Sequence, residues 1–398
     1  MKSRTLLSRR AFVQRMGYTS AAGGLSTLVP WLPAIAQPIS TQSPRFAYVG
    51  SSGSTPGIHV FAIKGNRWLP IQTIATATPS SLALHPTQKF LYATHEVDTY
   101  RGLPTGAAEA YAIDPHTGRL TSLNQQPLSL SATRPSHLAV SPDSRYLAVA
   151  IYGGGAYNLL PIHEDGSLQQ VSSILKETGS GPHPEHQSSS HPHTVTFDAT
   201  GHLLGTDLGS DRLNVFTITE GKLTRANQSP QLPGSGPGKV ALHPSGNLIY
   251  VANELDASIS ALRYNALTCE IGQPQHRTSA LPKDFHGQRS ATTLLLHPSG
   301  KFLYTANRRR ESNHPLADSL IAWSIHPNTG ALSPLQRITE NLRLPQATTI
   351  TPDGAHLFIL NHDSGVLQFT INTADGTLSN PTQTANIHTP RSLALTYA

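Results

Sequence analysis

The chain is short of several things, and each shortage removes a class of answers. A single cysteine, Cys269, rules out an intrachain disulfide and any zinc site built on cysteine ligands. Charged residues make up only 13% of the chain and aromatics 6%, which does not suit long solvated helices. Beyond the N-terminal stretch, no apolar run is long enough to cross a bilayer. Glycine and proline are plentiful, at 31 each, and they punctuate short β-branched runs. That composition fits many short strands joined by tight turns.

The N-terminus reads as an address. "SRRAFV", Ser8 to Val13, carries a twin-arginine pair, and a moderately apolar Gly/Ala-rich stretch follows. "AIA" before Gln37 supplies a small-x-small cleavage site. Gly23, Gly24, Pro30 and Pro33 interrupt the stretch, which argues against a membrane anchor. Residues 1–36 are therefore expected to be a signal peptide cut after Ala36 and residues 37–44 a linker. The precursor would use the twin-arginine export machinery, and the mature protein would be periplasmic or secreted with no attachment to the membrane. The segment holds Lys2, Arg4, Arg9, Arg10 and Arg15, and no acid. Without it, 29 basic residues against 23 acidic become 29 − 5 = 24 against 23, so the mature chain has no electrostatic claim on nucleic acid.

From residue 45 a pattern recurs about every 50 residues, the spacing of propeller blades. Its instances include "PSHLAVSPDSRYLAVAIYGGG" from Pro135, "PHTVTFDATGHLLGTDLGSD" from Pro192, "PGKVALHPSGNLIYVANELD" from Pro237 and "SATTLLLHPSGKFLYTANRR" from Ser290. Each is an apolar run, a four-residue turn, and a second run that ends in a polar residue. A third alternating run and a more variable fourth usually follow. The chain ends on "TPRSLALTYA", a first strand without a second, and opens on "RFAYVGSSGSTPGIHVFAI", a second and third without a first. The two fragments complete one unit, and joining them removes exposed sheet edges. The fold expected for residues 45–398 is all-β: a seven-bladed β-propeller of four-stranded antiparallel blades, its ring closed by N- and C-terminal strands within one blade.

In an antiparallel hairpin, the start of the first strand and the end of the second lie together. This places His85, His243 and His297, which sit in the intervening turn, at the far end as turn residues. The shared end gathers His137, His191, His193, Lys239, Arg289 and Arg391 from the starts of first strands. From the ends of second strands it gathers His95, Glu96, Tyr152, Asp207, Asn253, Glu254, Asn307, Arg308, His362 and Asp363. These should surround one mouth of the channel as a polar ring about a small-molecule pocket. Asp211 falls one loop further out, where supporting a turn is its expected work. No metal is expected, because zinc wants three or four protein ligands at a matching spacing and calcium a denser set of carboxylates. No other cofactor is implied.

"HPHTVTFD...TDLGSDR", "GSGPGKVALHPSGNLIYVANELD" and "HPSGKFLYTANRR" resemble the seven-bladed propeller lactonases, a family that includes 6-phosphogluconolactonases and carboxymuconate lactonizing enzymes. The resemblance runs from about Arg45 to the C-terminus. It implies a funnel that handles lactone rings without a metal, with site residues matching His191 or His193, Glu254 in "ANELD" and Arg308 in "ANRR". One match fails: where the family commonly has Gly-Pro-Arg-His, this chain has Gly236-Pro237-Gly238-Lys239. Lys239 is adjacent, but neighbours on a regular strand face opposite ways, so it is not expected simply to replace the arginine. Export is a second departure, since a sugar phosphate lactone is a cytoplasmic metabolite.

Opening a lactone needs a base near neutral pH, a cation or donors for the developing oxyanion, and a shaped pocket. His193, or His191, is the expected base, because histidine titrates in the useful range. Arg308 is the expected anchor for a carboxylate or oxyanion, with Lys239 or Arg289 as helpers. Glu254 would orient the histidine or the arginine, and Glu96, His137 and Asp207 would complete the substrate-binding wall. The partner is then a small lactone or sugar acid. Two other readings use the same funnel: a non-catalytic periplasmic propeller that binds a sugar acid or a protein, favoured by Gly238, and a lactonizing enzyme running the chemistry in reverse.

Overall fold

The computed structural model describes residues 43–281, 290–308 and 318–397. The expected signal peptide and Arg289 lie outside the described residues. The first strand begins at Pro44, one residue inside the stretch read as linker.

Among the described residues, twenty-eight strands form seven four-stranded antiparallel sheets. Six sheets take four strands in sequence order, and the seventh joins Pro390–Tyr397 to the first three strands of the chain. There Tyr48 pairs with Ala394 and Ala47 with Leu395, so the ring closes within one blade as the complementary ends require. The innermost strands are Pro79–Leu84, Pro135–Val140, Pro192–Phe197, Pro237–Leu242, Ala291–Leu296, Pro345–Ile350 and Pro390–Tyr397. Each touches the next, from Pro79–Leu84 round to Pro390–Tyr397 and back, which makes the ring.

Burial follows distance from the axis. Second strands such as Leu248–Asn253 are buried at every position, because a neighbouring blade packs on each face. Outer strands such as Glu270–Ser279 alternate towards solvent. Neighbouring blades are also pinned by tyrosines: Tyr48, Tyr92, Tyr250 and Tyr304 each donate to a glycine carbonyl in the next blade's turn, at 2.9–3.0 Å. One recipient, Gly118, has φ +70°, and a Cβ there would lie 2.4 Å from the Phe46 ring. Only glycine meets both conditions.

His85, His243 and His297 occupy the turns between first and second strands, as expected. His243 Nε2 donates to the Gly300 carbonyl at 3.0 Å and His297 Nε2 to the Gly354 carbonyl at 3.1 Å, stitching one blade to the next. Burial lowers the pKa of both rings, which suits neutral structural imidazoles.

The start of the inner strand carries one irregularity in all seven blades. The ladder slips by one or two residues just after the strand begins, for example between Pro135 and His137, Pro192 and Thr194, and Pro237 and Lys239. The same slip occurs in the other four blades. A bulge of this kind bends the strand and re-aims the extra side chain. The bulged residues include Ser136, His193, Gly238, Thr292 and Arg391.

Candidate functional site

The bulge supplies one ring of the site, and the residue just past the second strand supplies another. The last residue of each second strand is turned into the sheet. His95 is buried against Glu109 at 3.0 Å, Asn253 donates to Ser258 and Ser260, and Asn307 donates to Ser319 and the Ala280 carbonyl. The residue after it faces the axis: Glu96, Tyr152, Leu208, Glu254 and Arg308 all line the funnel. The sequence grouped both positions in one ring, whereas strand alternation separates them.

Asp207 is the clearest correction. Expected in the pocket wall, it is fully buried, and Leu208 takes its place at the cavity. Its oxygens accept from the His191 N–H at 2.8 Å, the Gly209 and Ser210 N–H groups at 3.1 and 3.2 Å, and the Ser190 and Ser210 hydroxyls. It holds the turn that carries His191. Asp211 supports its turn as expected, accepting from the Gly234 and Gly236 N–H groups at 2.7 and 2.8 Å. His362 does not line the funnel and instead meets exposed Asp363.

The funnel has a volume of about 590 Å³ and opens below into an axial channel of about 310 Å³. Ser80, Ser136, Lys239, Thr292, Gln346 and Arg391 line both, so the two are continuous. The volume suits a lactone of sugar size.

The two histidines of the opening motif have different surroundings. His191 lies flat on the Tyr152 ring, with centroids 4.4 Å apart and planes within 11°. Its Nδ1 is 2.9 Å from the Tyr152 carbonyl oxygen. A carbonyl only accepts, so Nδ1 carries the proton, and in the neutral ring Nε2 keeps its lone pair. Among the described residues nothing hydrogen-bonds to Nε2, and His191 lines the funnel. His193 meets Tyr152 edge-on at 6.0 Å. Its Nδ1 lies 3.2 Å from the Gly238 carbonyl oxygen and 3.3 Å from the Thr194 hydroxyl, and its Nε2 lies 3.2 Å from Glu254 Oε2. Glu254 Oε1 also accepts from the Ser290 hydroxyl at 3.0 Å. His193 is thus held at both nitrogens, while His191 presents one to the cavity.

Cations stand around this group. Arg308 donates to Gln346 Oε1 at 2.8 Å, and its backbone N–H donates to the Ser290 carbonyl. Arg391 donates to Glu96 at 2.7 Å, and Arg134 approaches the same carboxylate at 4.0 Å. Gly238 lies outside the left-handed region, and a Cβ there would stand 3.3 Å from Glu254 Oε2. A side chain at 238 would therefore start against Glu254. Lys239 was expected at the mouth as a helper, though not as a simple replacement for the arginine missing at 238. It lines both cavities, because the bulge at 238 breaks the alternation that the expectation assumed. Burial lowers its ammonium to about 8, with Glu254 acting in the other direction. His137 lines the channel rather than the funnel.

Several lining residues had not been singled out. Arg134 precedes the inner-strand proline and holds a left-handed backbone, φ +50°. Glu185, His186 and Ser188 come from the loop between Glu177 and Ser190. The only sequence signal for that loop was its length and its Gly, Pro, Ser and His content, the mark of a functional loop. Among the described residues, no three His, Cys, Asp or Glu side chains gather as a metal site. What the funnel offers is a histidine with an available lone pair, a second histidine paired to a carboxylate, and several cations. That combination can move a proton and hold an anion.

Comparison with known proteins places the fold in a family. Residues 46–395 match the family model described as lactonase, 7-bladed beta-propeller. The 6-phosphogluconolactonase of Bacillus subtilis is 29% identical over 326 residues, covering 80% of this chain and 89% of its own. That of Formosa agariphila is 29% identical over 317 residues, covering 77% and 86%. Among solved structures, the periplasmic gluconolactonase of Pseudomonas aeruginosa superposes with a TM-score of 0.79 at 26% identity, covering 89% of this chain and 99% of that one.

Proposed function

Since the chain belongs to the seven-bladed β-propeller lactonase family, we propose that it hydrolyses a sugar-acid or related lactone in the funnel, with His191 as the general base. The observation that carries this reading is the Nδ1 contact of His191 with the Tyr152 carbonyl, which directs the Nε2 lone pair to the cavity. Nε2 takes a proton from water as the hydroxyl oxygen adds to the lactone carbonyl. Arg308 stabilises the oxyanion, which then collapses with cleavage of the ring C–O bond. The leaving alkoxide takes a proton from His193, whose Nε2 is held 3.2 Å from Glu254. The product is the open hydroxy acid. Glu96 and Arg391 form the opposite wall, and every step uses side chains alone.

The names of the relatives support this substrate class. The test is proton release by residues 37–398 on sugar-derived and aromatic-derived lactones, with a chelator present throughout. Saturable release above the solvent rate is expected on at least one sugar-acid lactone. Saturable binding without release would support the binding protein that Gly238 suggests, and ring closure of the hydroxy acids would support a lactonizing enzyme.

We further propose that residues 1–36 export the protein through the twin-arginine route; the pair Arg9–Arg10 motivates this, and one structural neighbour bears a periplasmic name. Changing both arginines to lysine should leave full-length precursor in the cytoplasm. Normal processed protein in the periplasm would contradict it.

A further inference from the structure

The axial channel beneath the funnel holds two nitrogen-bearing side chains for which the hydrolytic step has no use. Lys239 stands where funnel and channel join and lines both. Among the described residues its amine makes no hydrogen bond or ion pair, although the Glu254 carboxylate acts on it through space. His137 lies in the channel, and its buried Nδ1 has no hydrogen-bond partner. Around them the channel wall is rich in hydroxyls, among them Ser81, Thr194 and Thr293. A half-buried ammonium and a buried ring nitrogen left unmatched cost free energy unless something meets them. A small oxyanion would meet the ammonium, and the hydroxyls around it can donate to the same group.

We propose that Lys239 and the channel hydroxyls beside His137 form an anion subsite, which receives the carboxylate or phosphate arm of an acid lactone while its ring lies in the funnel above. This rests on the lactonase reading and adds to it the residues that select the substrate. The continuity of the two cavities through Lys239 supplies the path for the arm. Burial holds the His137 imidazole well below the ordinary histidine range, and Lys239 and His193 push it the same way. A hydrogen bond to the Val195 backbone engages the ring nitrogen other than Nδ1, so the neutral ring adds no charge of its own to the subsite. Lys239, lowered by burial to about 8, is charged below that pH and loses its charge above it. The titratable groups acting on these two are Glu254 and His193, with Glu96, Arg308 and Arg391 on the funnel wall.

The test compares kcat/KM on a neutral lactone, glucono-δ-lactone, with that on a phosphorylated and on a carboxylated sugar lactone. In Lys239→Met the ratio of anionic to neutral kcat/KM should fall about tenfold or more, the factor that about 1.4 kcal/mol represents. In the wild type the same ratio should decline as pH rises through about 8. The phosphorylated and carboxylated arms show which oxyanion the subsite prefers. Calorimetric titration with inorganic phosphate reads the subsite independently of turnover, so it remains informative if no lactone is hydrolysed. Wild type should bind phosphate at least tenfold more tightly than Lys239→Met. An unchanged ratio, an equal loss on neutral and anionic lactones, or equal phosphate binding by both proteins would each overturn the proposal.

Discussion

Deleting residues 389–398 is expected to abolish cooperative unfolding or to lower its midpoint by tens of degrees. The lost strand, Pro390–Tyr397, is the innermost of its blade and the closure of the ring. It pairs along the whole of Pro44–Ser51, so its removal leaves an unpaired edge through the core residues Ala47, Tyr48 and Val49. Leu395 packs with Ala47, Val49, Phe358 and Leu360, and thereby joins the first blade to the last. Burying one leucine is worth roughly 1.5–3 kcal/mol. With Ala394 and half-buried Leu393 and Tyr397, the apolar loss alone reaches several kcal/mol. That approaches the roughly 5–15 kcal/mol by which a whole domain is stable. The Ser392 contact with Pro79 and the Arg391 contact with Glu96 are lost as well. Thermal unfolding checks this: the truncated chain should show no cooperative transition, or one lowered by tens of degrees. An unchanged melting temperature would contradict closure.

The fold was legible because each blade announces itself several times over. Apolar runs, the four-residue turns and the polar ends of second strands recur together, and the incomplete first and last fragments have one compatible partner. The site was legible only in outline. Position along a strand shows which end of the blade a residue occupies, and His193, Glu254 and Arg308 were found that way. It does not show which of two adjacent residues faces the axis. Asp207 was misplaced for that reason: the residue that reaches the cavity is the one just past the end of the second strand, and there stands Leu208. Lys239 was placed at the mouth, but the alternation invoked to set it apart from position 238 does not hold, because a bulge invisible in composition cancels it. His193 was placed before His191 as the expected base, whereas the contacts that distinguish the two, with the Tyr152 carbonyl, the Gly238 carbonyl and Glu254, are all distant in sequence. Arg134 and the loop bearing Glu185 and His186 belong to no repeat position that had been assigned a role.

His191→Ala tests the central claim most directly, as kcat/KM on one sugar-acid lactone measured beside wild type at the same pH. A positioned general base contributes roughly 10²–10⁴-fold, and a fall of that size is expected. The fold should survive, because Asp207 takes the His191 backbone N–H and the substitution leaves that bond in place. The ring itself contributes one stack on Tyr152 and one hydrogen bond at a half-buried position. His191→Ala should therefore keep a melting temperature close to that of wild type while losing turnover. The account predicts a hundredfold or greater loss of kcat/KM in a folded protein. Turnover within a fewfold of wild type would contradict it, and would remove His191 from the chemistry.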